Sequence, residues 1–297
     1  MTPLIGGIEL GGTKSVAVVA RGATIVDRLV VPTASPEATL TALIDWLAAH
    51  HAAAPVAALG IASFGPVILD RRDPSFGRIA ATPKPGWSYV DVHGPIARRF
   101  AVPVGFDTDV AGAALAEGRW GAAQGCADHV YLTIGTGVGA GIVANHRAVH
   151  GRGHPEVGHM RVRRAAGDAF TGVCPFHGDC LEGLVAGPAL AARTGLPADE
   201  IASDHPVWTA VAAELAQAMA TLIFLLAPER IVVGGGIAIK RAALIPAVVA
   251  QTNALVAGYL PGYDFAAMAA VIVPAGLGPD AGPLGAVALG QAALIAR

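Results

Sequence analysis

The sequence predicts an α/β protein built from two similar halves, and two observations carry this prediction. Short runs rich in β-branched residues alternate with longer runs in which apolar residues recur at helical spacing. A strand, a glycine-rich turn and a second strand open the chain near residue 4, and the same unit recurs from residue 129. Because single hydrophobic cores usually divide at about the length of this chain, 297 residues, we expect two domains.

The first half begins with apolar runs that are separated by glycine-containing turns. They predict consecutive antiparallel strands at 4–10, 15–20 and 24–31. Ser35-Pro36-Glu37 is typical of a helix start, and leucines at helical spacing follow it. The half is completed by a strand at 56–61, a loop rich in Gly and Pro at 63–87, a helix near 92–100, a strand at 102–106 and a helix that ends near Gly118.

The second half repeats the opening unit and then becomes irregular. The predicted elements are strands at 129–134, 139–144, 231–233 and 270–273, and helices at 207–226, at 241–255 and from about Gly282. The segment 151–182 is rich in Gly, His and Cys and has little regular pattern. We expect a small N-terminal α/β domain of residues 1–117 and a larger C-terminal α/β domain of residues 118–297, with the last helix a candidate to pack back on the first domain.

The composition excludes several classes of function. The formal net charge is only −2, so no basic surface for nucleic acid is expected. The most apolar stretch, 216–227, is too short to span a bilayer and is expected to be a buried helix. The N-terminus lacks the basic region and cleavage site of a signal peptide, so we expect a cytoplasmic protein whose partners are small molecules, with no membrane.

Three glycine clusters are candidates for binding a polyphosphate. Glycines at a tight turn allow backbone N–H groups to approach an anion, and the first turn adds a hydroxyl and a cation. The candidates are Gly11, Gly12, Thr13 and Lys14 in the first turn, Thr133, Gly135, Thr136 and Gly137 in the second, and Gly234, Gly235 and Gly236 after a later strand. An ordinary hairpin turn or strand-to-helix turn is the alternative for each, but two such turns in corresponding halves favour the phosphate interpretation.

Asp109 is the candidate catalytic base. It follows a predicted strand and opens a helix, which would hold its carboxylate at the rim of the sheet. A plain helix cap is the alternative, although Asp107 and Thr108 would cap equally well. A carboxylate that accepts the proton of an alcohol is the one protein group that acts directly on the nucleophile in phosphoryl transfer.

The segment between residues 151 and 182 contains the strongest local signal. His159, Cys174, His177 and Cys180 supply two imidazoles and two thiolates, which satisfy a tetrahedral Zn²⁺ with no open position. This set indicates a structural metal, with His154 as an alternative fourth ligand and Cys126 as an inert thiol. Glu156 and Glu182 flank the segment and could accept hydrogen bonds from sugar hydroxyls if the metal fixes them in place; alone, either is more often a solvated charge.

Together these motifs resemble those of the bacterial repressor, open reading frame and kinase (ROK) family, and especially of its fructokinases. The shared elements span the chain: Glu-x-Gly-Gly-Thr-Lys, Thr-x-Gly-Thr-Gly-x-Gly, Glu-Val-Gly-His, the Cys/His segment and Gly-Gly-Gly. The resemblance implies the actin and hexokinase type of fold, which is ribonuclease H-like, with two α/β domains closing over an inter-domain cleft. It also implies ATP with Mg²⁺, and a homodimer.

The resemblance also assigns roles to residues. It implies that Asp109 is the base, that the three glycine clusters bind ATP with Pro188 on the adenosine side, and that His159 both ligates zinc and contacts sugar. The implied sugar contacts are Gly65, Thr108, Asp109, Glu156, His159 and Glu182.

Departures from the common family pattern favour fructose as substrate. Glu9 stands where the first turn usually has aspartate, Thr108 where many relatives have asparagine, and His177 where a cysteine is common. We therefore expect an ATP-dependent kinase that converts D-fructose to D-fructose 6-phosphate. Glucokinase, mannokinase and N-acetylhexosamine kinase are the alternatives. A sugar-sensing repressor is a further one, against which we note that the first strand leaves no room for a DNA-binding domain before it.

Overall fold

The computed structural model describes residues 2–165, 167–241 and 243–296, which divide by their packing into two compact units. Unit 1 comprises residues 1–120, 147–155 and 280–297, and unit 2 comprises residues 121–146 and 156–279. The domain boundary after residue 117 stays a prediction, because a division by packing does not test which segments fold independently.

Unit 1 contains a five-stranded mixed sheet in the order β3-β2-β1-β4-β5. Its strands are β1 (Leu4–Leu10), β2 (Lys14–Arg21), β3 (Thr24–Pro32), β4 (Ala58–Ser63) and β5 (Val104–Thr108). The first three are consecutive and antiparallel, as predicted, whereas β1, β4 and β5 run parallel. The other elements of this unit are α1 (Pro36–Ala53), α2 (His93–Arg99), α3 (Asp109–Trp120), the two-residue strand β8 (Arg147–Ala148) and α10 (Ala281–Ile295).

Helix α1 confirms the predicted start signal. The Ser35 hydroxyl accepts a hydrogen bond from Ala38 N, and a proline stands in the first turn, where its missing N–H costs no helical bond. Leu40, Leu43 and Leu47 are buried on one face, as their spacing predicts.

Two predicted strands of unit 1 are displaced by two residues. Strand β4 begins at Ala58 instead of residue 56, and β5 ends at Thr108 instead of residue 106. The β4–β5 ladder continues to the Ser63–Thr108 pair, so polar residues that the hydrophobic pattern placed in a loop belong to the sheet. Hydrogen bonding between strands, not hydrophobicity, therefore sets these ends.

Helix α10 packs on the unit 1 sheet through very small residues. A Cβ at Gly60 of β4 would overlap with the backbone of α10 at Ala286, and a Cβ at Gly285 would overlap with the backbone of α3 at Gly112. Backbones approach this closely only where side chains are absent. The small residues thereby hold α3, which begins with Asp109, against the sheet.

Unit 2 has its own mixed sheet, in which β10, β9, β6 and β7 lie in that order. These strands are β6 (His129–Ile134), β7 (Val138–Ala144), β9 (Arg230–Gly234) and β10 (Ile272–Pro274). β6 and β7 form the predicted antiparallel hairpin, and β6, β9 and β10 are parallel. The helices are α4 (Leu181–Val185), α5 (Gly187–Thr194), α6 (Val207–Leu226), α7 (Gly236–Lys240), α8 (Leu244–Val256) and α9 (Phe265–Val271).

Several predictions for unit 2 were wrong in detail. Helices α4, α5 and α9 were not predicted, and the strand expected at 270–273 begins at Ile272 because Ala270 and Val271 end α9. The helix expected from residue 241 begins at Leu244, and the Arg241 guanidinium instead donates to the carbonyls of Ala198 and Ile201. Short helices of five to eight residues carry too little periodicity to be distinguished from loops.

Helix α6 contains most of the apolar stretch 216–227, which was expected to be a buried helix. The helix has 20 residues, and by length and composition it is the one helix among the described residues that could span a bilayer. Eleven of its residues are buried in the unit 2 core, including the charged Glu214, whose carboxylate pairs with Arg193 at 2.6 Å. This packing is that of a core helix.

Candidate active site and metal centre

The carboxyl ends of three parallel strands define one edge of the unit 1 sheet. Leu10 of β1 pairs with Ser63 of β4, and Ser63 pairs with Thr108 of β5, so these three strands end in register. Neighbouring strands lie about 4.8 Å apart, which places Leu10 and Thr108 on the order of 10 Å from each other. The first glycine turn, Gly65 and Asp109 follow these ends and therefore share this edge, where open α/β sheets bind ligands.

The first glycine turn joins β1 to β2 and is held by its own backbone. Gly11 N donates to Lys14 O at 3.1 Å, and a Cβ at Gly11 would lie 2.6 Å from that same oxygen, so only glycine fits there. A Cβ at Gly12 would meet no atom within 4 Å. The turn is thus fixed on one side by Gly11 and open to a ligand at Gly12, with the exposed Lys14 beside it.

Asp109 begins helix α3 but does not supply the main helix cap. The Thr108 hydroxyl accepts from Ala111 N at 3.1 Å, whereas one oxygen of Asp109 accepts from the adjacent Val110 N at 2.9 Å. The Asp109 side chain is only partly buried. The capping alternative for Asp109 is therefore weakened, because Thr108 performs that role.

Asp107, itself buried, anchors the end of β5 through a contact with the more exposed His150. Its carboxylate accepts from Thr108 N at 2.8 Å and lies 3.0 Å from His150 Nε2. The hydrogen bond to Asp107 is the largest of the effects on His150, and it raises the pKa of the imidazole. This pair fixes the backbone two residues before Asp109.

Glu9 is a partly buried carboxyl beside the first turn. Burial is the main cause that raises its pKa to about 7, and the neighbouring charge of Asp109 raises it further. A Cβ at Gly282, in the first turn of α10, would overlap with the Glu9 carboxylate, so the helix start lies directly against this group. Glu9 therefore changes charge near neutral pH.

The second and third glycine clusters come together in unit 2. Thr133 of β6 pairs with Gly234 of β9, so both clusters follow the carboxyl ends of adjacent parallel strands. Gly235 has φ +86°, and a Cβ there would lie 2.6 Å from Thr133 Oγ1. The Gly135 carbonyl accepts from Gly187 N at 2.8 Å at the start of α5, which brings Pro188 to the same place.

Glu182 lies against the second glycine turn. Its Oε2 accepts from Val138 N at 3.0 Å, and a Cβ at Gly137 would lie 2.7 Å from that oxygen. Glu182 is in the first turn of α4, two residues after the metal-ligand candidate Cys180. The proposed sugar contact and the second turn are therefore structurally connected.

Glu156 and His159 lie at a short 3-10 turn, Val157–His159, which packs against β7. His159 N donates to Glu156 O at 3.0 Å, and a Cβ at Gly158 would overlap with Val138 O. Leu181 N donates to Met160 O at 2.9 Å, which joins this turn to the segment that carries Glu182. The three sugar-contact candidates of unit 2 thus belong to connected segments.

The four predicted metal ligands form one cluster. The ligand atoms of His159, Cys174, His177 and Cys180 all lie within 4.8 Å of one another. His159 Nδ1 is 3.8 Å from Cys174 Sγ and 3.6 Å from Cys180 Sγ, and His177 Nδ1 is 3.7 Å from Cys174 Sγ.

This donor set fits a tetrahedral zinc ion. Typical Zn–S and Zn–N bonds of about 2.3 and 2.0 Å imply an S···N separation of about 3.5 Å, close to the three observed distances. Both cysteines are buried. The residues present therefore match a closed, structural site.

The alternative prediction, in which His154 is the fourth metal ligand, is wrong. Its Nε2 accepts from Val67 N at 3.0 Å in unit 1, and it is outside the cluster of potential metal ligands found among the described residues. Cys126 is likewise outside that cluster.

Sequence reasoning missed two charged residues of the unit 1 edge. Lys84 donates to Gly12 O at 2.6 Å, and His150 pairs with Asp107. Lys84 lies within Thr82-Pro83-Lys84-Pro85-Gly86-Trp87, and a cation between two prolines ahead of a tryptophan was the available signal. His150 had no signal, because its partner is 43 residues away.

Comparison with known proteins places the chain in a family. The model of the ROK family matches residues 5–293, so the chain belongs to the ROK family. It is 43% identical to a fructokinase of Pediococcus pentosaceus, over 98% of this chain and 99% of that protein. It is 41% identical to a fructokinase of Zymomonas mobilis, over 98% of this chain and 97% of that protein.

Solved structures confirm the predicted α/β fold of the actin and hexokinase type. A ROK hexokinase from Thermus thermophilus superposes with a TM-score of 0.80 at 27% identity, covering 99% of this chain and 100% of the other. A ROK family glucokinase from Streptomyces griseus, solved with glucose and AMPPNP, gives a TM-score of 0.78 at 25% identity, covering 97% and 99%.

Proposed function

We propose that this protein is an ATP-dependent fructokinase that converts D-fructose and ATP to D-fructose 6-phosphate and ADP. The observation that carries the proposal is the near full-length identity of 39–43% to three relatives named as fructokinases, one of them putative. A relative named as a glucokinase is 30% identical over 78% of this chain, which is a weaker match.

Asp109 is the proposed general base. Its carboxylate accepts the proton of the fructose 6-hydroxyl while that oxygen forms a bond to the γ-phosphorus of ATP. The bond between the γ-phosphorus and the bridging oxygen breaks, and ADP leaves with that oxygen. Thr108 caps helix α3, and Asp107 fixes the strand end with His150, so the backbone that presents Asp109 is held on both sides.

The glycine turns are the proposed phosphate sites. In unit 1 the turn from Gly11 to Lys14 offers backbone N–H groups and the Lys14 ammonium to phosphate oxygens. In unit 2 Thr133, Gly135, Thr136 and Gly137 take the corresponding role, and the packed cluster of Gly234, Gly235, Gly236 and Pro188 receives the adenosine side. Mg²⁺ bound to ATP neutralises charge on the phosphates.

The remaining roles follow from the family resemblance and from local geometry. Gly65 and Thr108 of unit 1, and Glu156, His159 and Glu182 of unit 2, are the proposed sugar contacts. His159, Cys174, His177 and Cys180 would hold the proposed zinc ion, which would tie the Glu156 and Glu182 segments together and supply no chemistry to the reaction. We further propose a homodimer and a cytoplasmic location.

A sugar panel tests the function. ADP release from MgATP is followed with fructose, glucose, mannose and N-acetylglucosamine as acceptors. The proposal predicts that kcat/KM is highest for fructose. A higher kcat/KM for glucose or mannose would reject the fructokinase assignment but retain the sugar kinase assignment. No turnover on any sugar would reject both assignments.

A further inference from the structure

Lys84 places a second cation at the first glycine turn. Its ammonium donates to Gly12 O at 2.6 Å, at the centre of the turn between β1 and β2. One carbonyl satisfies one of the three N–H donors of the ammonium, so further donors remain for another acceptor. Gly12 is also the position at which the turn is open, since a Cβ there would meet nothing within 4 Å.

The loop that carries Lys84 is held in place by the contacts of Trp87. Trp87 is fully buried, its indole Nε1 donates to Ala34 O at 2.9 Å, and its ring packs edge-on against Phe64 at 5.3 Å. Trp87 N donates to Lys84 O at 3.2 Å, which closes a turn at Pro85 and Gly86. A buried anchor three residues away therefore sets the position of the Lys84 backbone.

The charge of Lys84 has no partner of opposite sign. Across residues 2–165, 167–241 and 243–296, no carboxylate lies within ion-pair distance of its ammonium. By contrast Arg72, on the same loop, forms an ion pair with Asp70 at 2.9 Å. A fixed cation that contacts only a carbonyl at an open glycine turn is arranged to receive an anion.

We propose that Lys84 is a catalytic residue that binds the phosphoryl group held at the first glycine turn. This inference rests on the proposed kinase function. An anion that reaches the N–H groups of the turn also comes within reach of the ammonium, because the ammonium already touches the Gly12 carbonyl. Lys84 then acts with Lys14 to balance negative charge on the phosphoryl oxygens during transfer.

The test compares Lys84→Met with Lys84→Arg and with the control Arg72→Met, which removes an exposed cation from the same loop. We expect Lys84→Met to lower kcat/KM for ATP by about 10- to 100-fold, the usual worth of one hydrogen bond to a charged group. Lys84→Arg should retain most activity, and Arg72→Met should match the wild type. All three should keep the wild-type melting temperature, because Lys84 is partly exposed and its anchor Trp87 is unchanged.

A binding measurement separates phosphate recognition from support of the turn. Calorimetry should show that Lys84→Met binds AMPPNP more weakly than the wild type does. The variant and the wild type should bind adenosine with the same affinity. Equal loss for both ligands, or wild-type kcat/KM in Lys84→Met, would overturn the proposal. If the wild type phosphorylates no sugar, the proposed function fails, but weaker AMPPNP binding in Lys84→Met would still support Lys84 as a phosphate ligand.

Discussion

At the scale of single residues, the unit 1 edge combines groups whose charge depends on their surroundings. The pKa of Glu9, about 7, results mainly from burial and then from the charge of Asp109. The carboxylate lies against the start of α10, where a Cβ at Gly282 would overlap with it. The sequence shows a carboxyl at this position, but only the packing around Glu9 shows why its pKa is raised.

Glu9 predicts a pH dependence of stability. Its folded pKa lies above its ordinary value of 4.5, so the ionised form is disfavoured in the folded state, and stability falls as pH rises from about 4.5 through 7. Glu9→Gln should remove this cost. The difference in free energy of unfolding between Glu9→Gln and the wild type should therefore be more favourable to the variant at pH 8 than at pH 5, by on the order of 1–3 kcal/mol. Urea unfolding at both pH values measures it.

The matched control for Glu9 is Glu200→Gln, an exposed carboxyl in unit 2. It should leave the pH dependence unchanged. The same difference between Glu9→Gln and the wild type at pH 5 and at pH 8 would contradict the raised pKa.

At the scale of elements, strong local signals were predicted well. The capped helix α1, the opening antiparallel strands, the β6–β7 hairpin and the metal-ligand cluster all agree with the structure. The ends of β4 and β5 were not predicted, because they are set by ladder partners far along the chain. The short helices α4 and α5 gave no periodic signal, although they carry Glu182 and Pro188.

The metal segment predicts a dependence of stability on zinc. The purified protein should hold about one zinc per chain, measured by elemental analysis, because the four donors form a closed tetrahedral set. Chelation should lower the melting temperature of the wild type, since a structural metal contributes folding free energy. Cys174→Ser should lose the zinc and show no further change with chelator.

Cys126→Ser is the control for the metal segment, because Cys126 is a cysteine outside the ligand cluster. This variant should keep its zinc and its sensitivity to chelation. A metal-free wild type that melts at the same temperature as the zinc-loaded protein would refute the site.

At the scale of the whole molecule, the α/β class and the two similar halves were predictable from repeated strand, turn and strand patterns. Each half builds a mixed sheet whose parallel strands end at a glycine cluster. The packing of residues 147–155 with unit 1 was not predictable, because the segment interrupts the second half and its pairing of His150 with Asp107 leaves no local pattern. The proposal of fructose as the substrate rests on the combination of motifs and relatives, not on any single residue.

The most direct test of the account is turnover of MgATP with fructose by Asp109→Asn. The amide keeps the shape of the side chain but cannot accept the proton, so kcat should fall by about 100-fold or more while the melting temperature stays unchanged. Asp45→Asn, at an exposed carboxyl of α1, should retain wild-type kcat. An Asp109→Asn enzyme that keeps its kcat within about threefold of the wild type would contradict the central claim that this carboxylate is the base.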